Sequence, residues 1–294
     1  MNRTITRFGW VWRGVVVGGG FVLVQILSPA IVGLLGLYPV AIGVDDATAV
    51  LGGVVVAGVV VGTVCGPVAR SLSGGRPWQF FVWSTLLFSN AVGFLLEGTF
   101  FAPALAPIAN LPGGLLSQLL TALVTAGLIT WLYVPPETTT TVDLRDRPWP
   151  SWLGRVLAAT AVYVVLFLVV GSVNYQLVTR PYYETSFVGL ATPPMEQVVV
   201  LELVRGLLIV CSVVPLVRAV RGSRRRGALL AGGLLFVFAG VVPLLFQAFT
   251  LPPFLVFASS YEILLQVGPT GVAVAYLLAP RDRPARRPPK ETVA

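Results

Sequence analysis

VVVLELVRGLLIVCSVVPLV, Val198 to Val217, runs directly into RAVRGSRRR, Arg218 to Arg226. At about 1.5 Å per residue, the first string is long enough to cross roughly 30 Å of hydrocarbon as one helix. The second packs five arginines into nine residues, the charge signature of a loop held on the cytoplasmic side. An apolar span closed by a basic loop predicts a transmembrane helix, and the rest of the chain repeats the pattern.

Seven further runs have the same character: Val15–Leu37, Thr48–Val68, Phe80–Phe101, Leu115–Val134, Trp152–Val173, Ala228–Phe249 and Leu255–Leu278. Gly268 and Pro269 are expected to interrupt the last. Arg3 and Arg7 precede the first as in a signal peptide. Its apolar stretch exceeds the roughly 7–15 residues of a signal core, however, and reads as a retained helix. Composition agrees. Of 294 residues, 56% are hydrophobic and only 11% charged, with mean hydropathy +0.86. A soluble domain carries about 25% charged residues, so a water-facing globular enzyme is excluded. With no histidine in the chain, histidine-ligated haem, histidine zinc sites and serine–histidine dyads are excluded too. No cofactor or metal site is expected. Cys65 and Cys211 lie in apolar runs as small hydrophobes rather than as a disulfide or redox pair.

The basic residues set the orientation. All 20 Lys and Arg residues except Arg180 and Arg205 fall before the first run, in alternate connections, or in the tail from Arg281 to Lys290. That places both termini in the cytoplasm and the chain in the cell membrane, with an even number of helices, eight. The net charge of +8 therefore records topology and not nucleic-acid binding. Arg221, Arg224, Arg225 and Arg226 are candidates for contact with anionic lipid headgroups on the cytoplasmic side, beside their role as topology determinants.

Shifted by 148 residues, Val56–Phe101 aligns on Val204–Phe249 without a gap and with 12 of 46 positions identical, Gly58/Gly206 and Pro67/Pro215 among them. Trp10-x-x-Arg13 and Trp152-x-x-Arg155 open the two halves at an offset of 142. The expected architecture is an all-α polytopic bundle built as a parallel 4+4 repeat. Residues 1–140 and 141–280 form its two four-helix units, followed by a disordered basic tail, 281–294. Gly58, Gly62 and Gly66 recur every fourth residue, and Gly18–Gly20 thin the first helix, as close helix packing in lipid requires.

Four charges remain inside the spans. A charged side chain at mid-membrane costs about 2.5–3.5 kcal/mol on insertion scales, so Glu97, Glu202, Arg205 and Glu262 each call for a partner or a purpose. All sit in the outer half, roughly 6–10 Å below the helix ends. Glu202 and Arg205, three apart, share one helical face. Three carboxylates against one guanidinium leave surplus negative charge for a proton or cation. Asn90, Gln118, Gln247 and Gln266 are the secondary polar residues, interhelical hydrogen-bonding groups or cavity lining. The outer connections Ala102–Ala109 and Leu251–Phe257 are uncharged and proline-broken, lying in the interface or dipping back toward the membrane. The longer one, Asn174–Met195, is expected to cap them with Tyr182 and Tyr183.

Three function classes follow. The first is a transporter or channel-like protein for a small ion or molecule at the Glu/Arg site. The second is a non-enzymatic scaffold or accessory subunit in which those charges only secure the bundle. The third, ranked last, is a lipid-modifying enzyme: no aspartate lies in a span, and no nucleophile or phosphate-cradling motif appears.

Overall fold

Residues 7–40, 47–136, 147–248 and 251–279 are described by a computed structural model of the chain. They are all-helical, with eight helices long and apolar enough to cross a membrane. These are α1 (Arg7–Leu34), α2 (Ala47–Ser71), α3 (Arg76–Phe101), α4 (Leu111–Tyr133), α5 (Trp149–Glu184), α6 (Met195–Ala219), α7 (Arg224–Gln247) and α8 (Pro253–Leu278). Five contain the expected run whole, whereas α1, α4 and α7 stop one to three residues short of the expected ends Leu37, Val134 and Phe249, the last of which lies outside the described residues. The tail 281–294 lies outside the described residues.

Helical continuity is forced where backbone N–H and C=O groups have no water to turn to, and it overrides two expected breaks. α8 runs through Gly268 and Pro269 without interruption, and Thr270 bonds back to the Gln266 carbonyl at 2.7 Å. The stretch Leu251–Phe257 is not an outer loop either, because α8 already begins at Pro253. Two π-turns went unforeseen, Tyr175–Thr179 in α5 and Phe236–Val241 in α7. Each ends two residues before a proline, Pro181 or Pro243, whose ring would clash with the carbonyl four residues earlier. Widening that turn relieves the clash. Pro29, Pro67, Pro215 and Pro269 are carried inside α-helices without this device.

Lipid supplies no hydrophobic drive between helices, so the seams depend on close backbone approach. α1 and α2 meet along Gly14, Gly18, Gly58 and Gly62: a Cβ on Gly62 would lie 2.3 Å from the Gly14 carbonyl oxygen, and one on Gly18 2.4 Å from that of Gly58. Gly66 accommodates the Trp10 and Tyr133 rings, and Gly20 the Leu128 side chain. Gly19 faces open space, so the three successive glycines of α1 do not share one role. In the other half, α7 and α8 close on Gly232, Gly268 and Gly271.

Within each half, the first helix packs on the second and fourth and the third on the fourth; between halves α3 packs on α6 and α2 on α7. At the arginine-rich end the α2–α3 and α6–α7 connections touch. Ser73 N–H donates to the Ala219 carbonyl (2.6 Å), Arg221 N–H donates to that of Ser71 (3.1 Å), and Leu72 faces Val220 between them. Arg70 lies over the Trp10 ring at 4.6 Å and Arg218 over Trp152 at 5.3 Å.

Trp83, Leu86, Tyr163, Ile209, Leu216 and Leu235 are fully buried in the core, while Leu23, Leu27, Val59, Val169 and Leu177 point outward. Cys65 is buried and Cys211 faces outward on α6. Gly62→Leu should lower stability by about 1–3 kcal/mol through overpacking of the α1–α2 seam. Gly19→Leu should leave the thermal unfolding midpoint in detergent unchanged, and equal effects of the two would refute this account of the seam.

Candidate functional site

α3 and α6 meet along one polar line. From the end opposite the arginine-rich connections it pairs Glu97 with Arg205 and, two turns farther along, Asn90 with Ser212. Arg205 is the hub. Its Nη1 donates to Glu202 Oε1 at 2.6 Å and its Nη2 to Glu97 Oε2 at 2.5 Å, so two carboxylates from two helices share one guanidinium. Glu202 is fully buried; its second oxygen accepts the Tyr163 hydroxyl from α5 at 2.8 Å. Gly206 admits the Tyr163 ring, since a Cβ there would lie 2.8 Å from its Cδ1. The Phe167 ring stands 5.8 Å from the Arg205 guanidinium carbon, a cation–π contact one turn above Tyr163. Arg205 Nε, buried, has no hydrogen-bond partner among the described residues.

Glu262 of α8 is not ion-paired with Arg205. Its Oε2 accepts from Asn174 Nδ2 of α5 and its Oε1 from Gln266 Nε2, one turn along α8, at 2.9 Å. Gly171 makes room: a Cβ there would come within 3.2 Å of Glu262 Oε1. The structure thus joins Glu97, Glu202 and Arg205 directly and holds Glu262 beside them in a nest of neutral amides. Such a carboxyl can keep both neighbours in either protonation state: once protonated, its carbonyl oxygen still accepts from one amide while its O–H donates to the turned oxygen of the other.

The end of the line nearest Glu97 is covered by the continuation of α5. Tyr183 meets the Phe101 ring edge-on at 6.4 Å and Tyr175 at 5.7 Å, while Ala191 N–H donates to the Phe101 carbonyl at 2.9 Å. Gly189 takes φ +75° and passes against Ala104, a turn only glycine makes freely. Glu97 is the open member, with 36% of its side chain exposed.

Of the secondary residues, Asn90 donates to the Leu86 carbonyl (2.6 Å) and Ser212 Oγ (3.5 Å), and Gln266 belongs to the Glu262 nest. Gln247 ends α7, its carbonyl accepting from Leu251 N–H. Gln118 lines a cavity between α1, α3, α4 and α7 instead. Sequence reasoning missed Tyr163, Phe167 and Asn174, although Tyr163 is the one hydroxyl-bearing aromatic in the apolar run Leu157–Val170.

At the opposite end, Ser223 caps α7 by accepting from Arg226 N–H at 3.3 Å, and Arg221, Arg225 and Arg226 are exposed. Three arginines in a first helical turn oppose the helix dipole, so helix stability is not what selected them.

No protein-family model, curated protein or solved structure matches this chain. The site is therefore read from its own chemistry. Arg205→Met strands the fully buried Glu202 carboxyl and the partly exposed Glu97 and should destabilise the bundle by about 3–5 kcal/mol, with a large part recovered in Glu202→Gln/Arg205→Met. Thermal unfolding of the reconstituted variants checks this; an unaltered midpoint for Arg205→Met would show the pairs carry no load.

Proposed function

We propose that the chain is a multi-pass protein of the cell membrane that carries a small ion or molecule, taking a proton or cation at the Glu97–Glu202–Arg205–Glu262 site as it does so. The observation that carries the reading is the unpaired carboxyl. Glu97 and Glu202 share the Arg205 charge, whereas Glu262 receives only neutral amides. A carboxylate at that level without a cation either takes a proton or binds one. The partial exposure of Glu97 gives the site a way to the outer side.

The scaffold reading has its own support, since Glu202 is fully buried with both oxygens satisfied, as in a structural ion pair. Glu262→Gln separates the two. In vesicles with a trapped pH dye, the transport reading expects wild-type protein to dissipate a pH or cation gradient. The variant should keep its unfolding midpoint and lose that flux. A wild-type rate equal to that of empty vesicles, or loss of folding alone in the variant, favours the scaffold.

The two four-helix units are read as a parallel repeat. Supporting this, Ser73 and Ala219 exchange roles with Arg221 and Ser71 across the offset of 148, and the Trp10–Arg70 and Trp152–Arg218 stacks correspond at 142 and 148. Both termini are assigned to the cytoplasm, with Arg221, Arg224, Arg225 and Arg226 against anionic headgroups. With Cys65 and Cys211 replaced by alanine, a membrane-impermeant maleimide added to intact cells should label Thr185→Cys and spare Ser223→Cys. The reverse pattern would invert the topology.

A further inference from the structure

Between α1, α3, α4 and α7, away from the charged site, lie two contiguous cavities. One, of about 230 Å³, begins at the outer end among Tyr38, Pro107 and Asn110; the other, of about 160 Å³, continues inward among Phe21, Phe94 and Phe238. Gln25, Leu95 and Gln118 border both, so the polar residues form a waist between an outer mouth and an aromatic floor. No lining residue is charged.

Its polar groups are only partly used. Thr121 donates to Gln25 Oε1 at 2.9 Å, and Ser28 meets Ser117 at 2.7 Å, fixing the α1–α4 wall. Along α4, Thr121 and Thr130 also bond the carbonyl one turn back, at 3.0 and 2.7 Å. Thr125 departs from this habit: it is fully buried, lines the inner cavity, and its hydroxyl has no partner among the described residues. An unmet hydroxyl in an apolar chamber is destabilising, and a cavity with a few convergent polar groups on aromatic walls is the usual form of a small-molecule site.

We propose that this chamber binds a neutral amphipathic molecule. Its hydroxyl or carbonyl head bonds Gln118 and Gln25 at the waist, and its hydrocarbon body lies inward against Phe21, Phe94 and Phe238. Charged headgroups are rejected because no lining residue compensates them.

A diazirine-bearing octanol is the probe, photolysed with the whole protein in vesicles and mapped by mass spectrometry. Adducts are expected on α4 between Gln118 and Thr125 and on α1 near Gln25. Decanol should compete about tenfold better than decane or decanoate, the worth of one or two net hydrogen bonds. Ala122→Phe fills the chamber and should abolish these adducts. Gln118→Leu keeps the volume and should erase the advantage of decanol over decane. Thr125→Leu gives a second filling variant should Ala122→Phe fail to fold. Adducts scattered over outward residues such as Leu23 and Val59, adducts that persist in the filled variant, or equal competition by decane would overturn the proposal.

Discussion

Hydrocarbon offers no hydrogen bonds, and the architecture follows from that refusal. Every backbone group must be satisfied within its own helix, so α8 continues through Gly268 and Pro269 and α7 widens into a π-turn rather than breaking at Pro243. Lipid rewards no apolar contact between helices over contact with itself. Attraction then comes from dispersion at short range, and Gly14, Gly18, Gly58 and Gly62 are what bring two backbones within range. The same refusal makes each buried charge conspicuous, because ionised groups at that depth persist only with a partner.

Legibility in the sequence divides along this line. All eight spans were readable, since length and apolarity are properties of a segment alone and need no knowledge of neighbours. The pairing of Glu202 with Arg205 was readable for a similar reason: a spacing of three residues defines a face. Glu97 reaching Arg205 from another helix was suggested by equal depth, but depth carries no azimuth: Glu262, expected at a similar depth, is held by Asn174 and Gln266 and not by Arg205. Tyr163 and Asn174 were hidden because uncharged polar residues are common in spans and only tertiary contact distinguishes them. The cavity beside Gln118 was hidden more thoroughly, since empty space leaves no residue to read.

Glycines show the same limit at a finer scale. Gly18, Gly19 and Gly20 are identical as letters, yet one opens a helix seam, one faces nothing, and one admits a leucine. The four-residue period of Gly58, Gly62 and Gly66 was a better guide, because periodicity encodes a shared face. Even there the partner changes at Gly66, from backbone to the rings of Trp10 and Tyr133.

The proposed repeat gives the charged site and the neutral chamber a common origin. Counting 148 residues back from Glu262 and Gln266 arrives at Gly114 and Gln118. In the second half, Glu262 fills its place and draws Asn174 and Gln266 around it. In the first half, the corresponding residue is a glycine with no side chain to offer; it lies on the wall of the outer cavity, and Gln118 faces space instead of a carboxyl. On the proposed repeat, glycine against glutamate at this one position separates the carboxyl nest from the open cavity. The contacts between the α2–α3 and α6–α7 connections and the Trp–Arg stacks lie at the opposite end of the bundle, so a difference here leaves them untouched. The two halves can then specialise in chemistry while sharing one mechanical frame.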